Sequence, residues 1–307
     1  MELNRSLSVC ALSAVAVCLW TGAAFAQPVT TPVRLDEDPS TARTMALGGR
    51  AEATASSSGS MFSNPASILG ARGYHTEVLT MYDPTIGRYL FGSALTDSTR
   101  QYISAGLAYF YSGIAGTDQR SMHDTRINAT FALSPNFGIG IIARYVNATG
   151  GPPLMNGTSL TNSGAWAGFL LDAGIYVRPF RMLQISASGH SLNNQDTTIA
   201  PINMGVGLAL SPVSILTIAA DALIDFRQAG TPKGRYSGGV ELFLGNHFPI
   251  RAGYAYDDLR ATHAVTAGFG YMDDNFGIEL GVRQGVYPEM QTTLMLAVRY
   301  FYRGALQ

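Results

Sequence analysis

Near the C-terminus, Leu294, Leu296, Val298, Tyr300 and Tyr302 are all apolar or aromatic, while Thr293 and Arg299 fall on the intervening positions. Successive strand side chains point to opposite faces, so this stretch predicts a strand with one greasy and one mixed face. The same pattern recurs upstream. Leu216, Ile218, Ala220, Ala222 and Ile224 alternate with Thr217, Ala219, Asp221, Leu223 and Asp225. Phe276, Ile278, Leu280 and Val282 alternate with Gly277, Glu279, Gly281 and Arg283, and Ile127, Ala129, Phe131 and Leu133 with Arg126, Asn128 and Thr130. The polar residues stay in phase, so one face is polar throughout. Only the run around His263, which shares a face with Val265 and Phe269, leaves its sidedness open.

Such runs, divided by turn residues, predict strands at 73–82, 86–95, 101–111, 123–133, 137–147, 166–178, 182–191, 202–210, 214–224, 235–244, 248–256, 262–272, 275–284 and 291–302. Tilted strands that cross an outer membrane need ~9–11 residues, which fits these lengths. Short links at 134–136, 179–181, 211–213, 245–247 and 273–274 alternate with mostly longer ones at 112–122, 148–165, 192–201, 225–234 and 285–290. The 257–261 link is an exception. Short turns on one side and long loops on the other are the pattern of a membrane barrel, with both termini periplasmic when the strand number is even.

Composition narrows the class. Charged residues make up 13% of the chain, about half the share usual in soluble domains. A soluble sandwich would need a charged outer face, and a propeller a repeat of roughly 40–50 residues; neither is visible. A net charge of −1 gives no pull toward nucleic acid. The expected fold is all-β: an antiparallel transmembrane β-barrel of about 14 strands, with an N-terminal plug segment in or under the lumen.

Arg5, the apolar run from Leu7 to Trp20 and Ala24-Phe25-Ala26 before Gln27 predict a cleaved signal peptide over residues 1–26. Both cysteines, Cys10 and Cys18, fall inside it. Residues 27–71 are expected to form an extension and plug, and 72–303 the barrel. No later run is apolar for long enough to cross a membrane as a helix.

The predicted inward face carries Gly138, Gly140, Gly205, Gly207, Gly253, Gly277 and Gly281. Glycine in a strand costs stability unless it lets another backbone approach, so the lumen is expected to be occupied, by the 40–70 segment. The same face carries Arg126, Arg144, Asp172, Asp221, Glu241, Arg251, Glu279, Arg283 and Arg299. Mixed signs predict ion pairs bracing the wall, with Arg299 meeting Glu279, and not a filter for ions of one sign.

Catalytic chemistry is not expected. His190 and Ser191 are adjacent in a predicted strand and point to opposite faces, which excludes a nucleophile–base dyad between them. His75, His123, His247 and His263 lack ligand spacing, so neither a metal nor a cofactor is expected. Tyr109, Tyr111, Tyr145, Tyr254, Tyr256, Tyr300 and Tyr302 read as belts at the membrane interfaces.

Between the signal and the first strand come Arg43, Ala46-Leu47-Gly48-Gly49, a small-residue stretch from Ala51 to Ser60, and Asn64-Pro65-Ala66. In this order they resemble the N-terminal pattern of the FadL-type outer-membrane transport proteins and the shorter barrels related to them. Leu183–Asn193 is similar to the family's strand that ends in an Asn-containing loop. Ser57 or Ser58 stands where the family often has Asp, and Ser67 where it often has Gly. The resemblance implies a plug or hatch built on Arg43, Gly48, Gly49, Asn64, Pro65 and Ala66. It also implies a barrel set in outer-membrane lipid that passes a small hydrophobic ligand. The alternative it implies is a non-transporting, PorV-like barrel, a secretion-system or structural component whose loops bind protein partners.

Overall fold

The computed structural model describes residues 40–55, 57–115, 120–149, 165–193, 201–226, 231–288 and 290–302. The predicted signal peptide, the extension before Ser40 and nearly all of the 148–165 link lie outside the described residues.

The strands are β1 (Tyr74–Asp83), β2 (Arg88–Asp97), β3 (Ile103–Ile114), β4 (Ser121–Ser134), β5 (Phe137–Thr149), β6 (Trp166–Phe180) and β7 (Leu183–His190). They continue with β8 (Asn203–Val213), β9 (Leu216–Asp225), β10 (Lys233–Leu244), β11 (Phe248–Asp257), β12 (Thr262–Met272), β13 (Phe276–Tyr287) and β14 (Thr292–Tyr302). Each pairs antiparallel with its sequence neighbours, and β14 returns to β1, so the sheet closes. Closure removes every free edge, which is what a sheet needs where no water can satisfy backbone amides.

The alternation read from the sequence becomes an inside and an outside. In β14, Leu296, Val298 and Tyr300 are exposed, while Met295, Ala297 and Arg299 are buried. The polarity is inverted relative to a soluble protein. Phe169 is 68% exposed and Ile127 60%, whereas Glu77, Asp124 and Glu279 are completely covered. A surface so apolar is stable in hydrocarbon and not in water. β12 resolves the same way. His263 lies on the outer side and its Nδ1 shares a hydrogen bond with the Tyr254 hydroxyl, while Ala264 and Thr266 turn inward. Across the barrel, Tyr109 and His123 make the equivalent outer pair at 2.7 Å.

Among the described residues, the stretch from Ser40 to Gly70 runs inside the barrel as short, tightly capped pieces. Helix α1 (Ala42–Ala46) is capped by the Thr41 hydroxyl, which accepts from Thr44 N at 3.2 Å. It ends at Gly48 and Gly49, with φ of +104° and +90°. Only glycine adopts such angles without strain, and the Gly49 amide closes back on Thr44 O at 2.9 Å. Two 3-10 turns follow, at Ser57–Met61 and Pro65–Gly70. The small residues let these pieces lie against the wall. Ala42, Met45, Met61 and Phe62 pack on Leu79, Met81, Leu90, Phe110 and Met295 from β1, β2, β3 and β14.

Candidate functional site

The wall makes room for this interior segment with glycines. A Cβ on Gly140 would lie 2.6 Å from Ala66 N and from the Pro65 carbonyl carbon, and one on Gly207 2.6 Å from Ala53 N. On Gly253 it would lie 2.7 Å from Gly48 N, and on Gly281 2.8 Å from Ala42 O. Gly138 faces the Leu69 side chain and Gly205 that of Glu52. Gly277 is different: its neighbours are Met272 and Phe301, so it admits wall side chains and not the segment. Gly106, Gly174, Gly239 and Gly268 also face the segment and were not singled out from the sequence.

Asn64-Pro65-Ala66 is pinned across several strands. Asn64 Nδ2 donates to Ile175 O at 2.7 Å and Ala187 O at 3.3 Å, while its Oδ1 accepts from Ala66 N at 2.9 Å. That use requires a side chain that donates and accepts at once. Pro65 O in turn accepts from Thr130 Oγ1 at 2.8 Å and Asn128 Nδ2 at 3.2 Å. Buried carbonyls are thereby satisfied where the segment has no regular structure of its own.

Two runs of charge join the segment to the wall, and each begins and ends on the segment. In the first, Arg43 grips Glu241 with two hydrogen bonds, Nε to Oε2 at 2.9 Å and Nη2 to Oε1 at 2.8 Å. Arg251 then bridges Glu241 at 2.5 Å and Glu279 at 2.6 Å. Arg299 bridges Glu279 at 3.0 Å and Glu77 at 3.1 Å, and Glu77 accepts from the Ser58 hydroxyl. Burial opposes the charge on Arg43, but the carboxylates of Glu241 and Glu279 outweigh it and hold the guanidinium pKa above its ordinary value. In the second run, Arg126 donates to Met61 O at 2.6 Å and pairs with Asp124 at 2.7 Å. Arg144 spans Asp124 at 2.8 Å and Asp172 at 3.6 Å, His190 lies 3.5 Å from Asp172, and Glu52 lies 3.8 Å from His190. Signs alternate along both runs, the condition under which buried charges are tolerated.

Of the wall charges predicted from sequence, Glu241, Arg251, Glu279 and Arg299 meet in the first run and Arg126, Arg144 and Asp172 in the second. Asp221 instead accepts from Ala53 N at 3.3 Å. Arg283 lines a small space beside Gly48 and Gly49, toward the end of the barrel opposite the start of β1. Glu77 and Asp124 were not picked out, although each has the inward parity of its strand. Glu52 carries no sequence signal. His190 finds a hydroxyl at i−2, not i+1: Ser188 Oγ lies 3.0 Å from its Nε2. Serine, histidine and aspartate are thus in line, but Ser188 Oγ also donates to Glu52 Oε2 at 2.7 Å. That contact engages the hydroxyl as a tether to the segment.

Toward the ends of β3 to β6 that lie away from the start of β1, the inner wall carries an apolar cluster. Ile114, Met122, Val146, Ala148 and Leu170 cluster there, with Trp166 packed against them. In the strand registers Val146 lies opposite Asp124 and Leu170 opposite Arg144, so the patch begins at the level of the second charge run.

No family model and no curated protein matches the chain. Among solved structures it is similar to CymD, a monoaromatic hydrocarbon channel, with a TM-score of 0.65 at 13% identity over 85% of this chain and 97% of that one. The toluene transporter TodX of Pseudomonas putida gives 0.65 at 14% identity over 88% and 99%. A FadL homologue of Pseudomonas aeruginosa gives 0.62 at 12% identity over 89% and 99%. The likeness is one of fold: this chain is a closed 14-stranded antiparallel barrel, the fold of these hydrocarbon channels.

Proposed function

We propose that this barrel passes small hydrophobic molecules across the outer membrane, and that residues 1–26 are the cleaved signal that exports it. The observation that carries this reading is the apolar patch of Ile114, Met122, Val146, Ala148 and Leu170 on the inner wall. An inner wall serving water or ions would be polar there. An apolar one gains roughly 25 cal/mol for each Å² of hydrophobic ligand surface it takes from water. The patch lies on the extracellular side, where a ligand would arrive, and the segment from Ser40 to Ala71 lies below it. Passage then requires the segment to shift toward the periplasm, after which Asn64-Pro65-Ala66 and Arg43 redock. The channels of like fold that carry toluene and other monoaromatic hydrocarbons support ligands of that size.

Cells that lack the chain should lose most of their uptake of a radiolabelled monoaromatic hydrocarbon supplied at low concentration, and regain it on complementation. Unchanged uptake, together with recovery of a stable protein partner bound through the loops, would replace this reading with the secretion-partner alternative.

A further inference from the structure

The outer wall of the barrel is unevenly covered. Where β6 and β7 pair, the outward positions at one level are Ala173, Ala187 and Gly189, so the backbone there is nearly bare. Phe131, Ile139 and Ile141 of β4 and β5 rise on one side of them and Met204 of β8 on the other, all four exposed to the outside. They bound a groove of about 530 Å³. The one polar side chain in its lining, that of Ser188, turns inward to Glu52 and His190. The groove itself is apolar.

The β6–β7 hairpin that floors the groove turns at Arg181, at the end of the barrel where β1 starts. The Arg181 side chain is exposed and makes no hydrogen bond or ion pair among the described residues. Only its carbonyl is engaged, accepting from Arg178 Nη2 at 3.1 Å. The adjoining turns, 134–136 and 211–215, hold no acid. Between Arg181 and the groove the exposed side chains are Phe180, Met182 and Ile185, an apolar track from one to the other.

The spacing matches one leaflet of a membrane. Ala187 stands six residues from Arg181. Six residues of strand span ~20 Å, which at a tilt of ~40° is ~15 Å of depth, half of a ~30 Å hydrocarbon core. With Arg181 among the headgroups, the groove lies where an acyl chain of the same leaflet ends. An empty groove forfeits dispersion contacts that a chain laid in it recovers, and a phosphate on a guanidinium adds a charge-assisted contact.

We propose that the groove and Arg181 form a binding site for one phospholipid, with an acyl chain over Ala187 and Gly189 and its phosphate on Arg181. The proposal rests on the reading of this chain as an outer-membrane barrel, in which the lipid belongs to the periplasmic leaflet.

The test is native mass spectrometry of the folded mature barrel released from detergent micelles, with phosphatidylglycerol or a diacylglycerol of the same chains as probe. One phosphatidylglycerol should be retained more tightly than diacylglycerol. Arg181→Gln should weaken phosphatidylglycerol about fivefold and leave diacylglycerol unchanged. Ala187→Phe, which fills the groove, should weaken both. Phosphatidylglycerol retained equally by wild type and either variant overturns the proposal. So does a dimer that Ala187→Phe abolishes, which would give the groove to a second copy of the chain. If Ala187→Phe lacks the compact mobility of a folded barrel on unheated gels, Ala173→Phe makes the same comparison. A mature chain that folds and stays soluble without detergent overturns the membrane reading itself, whereas a membrane-inserted barrel with lipid retention alike in all variants overturns this site alone.

Discussion

Glu279→Gln is expected to destabilise the barrel by about 3–5 kcal/mol, the range for removing one partner of a buried ion pair. Glu279 is completely covered and receives Arg251 at 2.6 Å and Arg299 at 3.0 Å. Its run contains Arg43, Arg251 and Arg299 against Glu241, Glu279 and Glu77, and is balanced. A neutral side chain of the same shape leaves an uncompensated positive charge with no water to solvate it. Adding Arg299→Gln restores the balance, so the double variant should lose less than the two single losses summed. Urea unfolding in detergent micelles measures both. A transition for Glu279→Gln coincident with wild type would remove the run from the account of stability.

Gly140→Val should separate the interior segment from the wall. The added Cβ would lie 2.6 Å from backbone atoms of Pro65 and Ala66, which cannot rotate aside as a side chain can. Overpacking of this kind costs about 1–3 kcal/mol, and the least costly relief is to release Asn64-Pro65-Ala66. Residues 40–71 should then be cut by protease well before the barrel is. Gly277→Ala is the matched control. Its Cβ meets only the side chains of Met272 and Phe301, from 3.3 Å outward, and the segment should stay protected. Equal protease sensitivity in the two variants would show that the wall glycines do not seat the segment.

These two substitutions also show what the sequence carries. Period-two alternation expresses a physical sidedness, so the parity of Leu296, Val298 and Tyr300 against Arg299 already divides lipid from lumen. The same parity places Gly140 and Gly277 alike on the inner face. It says nothing of depth along the barrel, and depth is what separates a glycine under Pro65 from one near the periplasmic rim. Glu77 and Asp124 were within reach of parity alone. Glu52 was not, because the segment before β1 has no period and takes its shape from the cavity around it. Its small residues and Gly48-Gly49 signalled close packing, and its contacts had to come from the closed barrel. His190 was weighed against its neighbour Ser191, yet in a strand the partner on the same face is two residues away, at Ser188.

The proposed passage of a ligand through the barrel requires the interior segment to move, and a reversible tether tests that directly. Ser57 Oγ on the segment lies 3.2 Å from Thr96 Oγ1 on β2, close enough for a disulfide between cysteines at both positions. The chain's only cysteines, Cys10 and Cys18, precede the predicted cleavage site, so the engineered pair would be alone. With Ser57→Cys/Thr96→Cys oxidised, uptake of the monoaromatic probe should fall to the level of cells lacking the barrel, and reduction should restore it. Undiminished uptake with the disulfide fully formed would contradict the account.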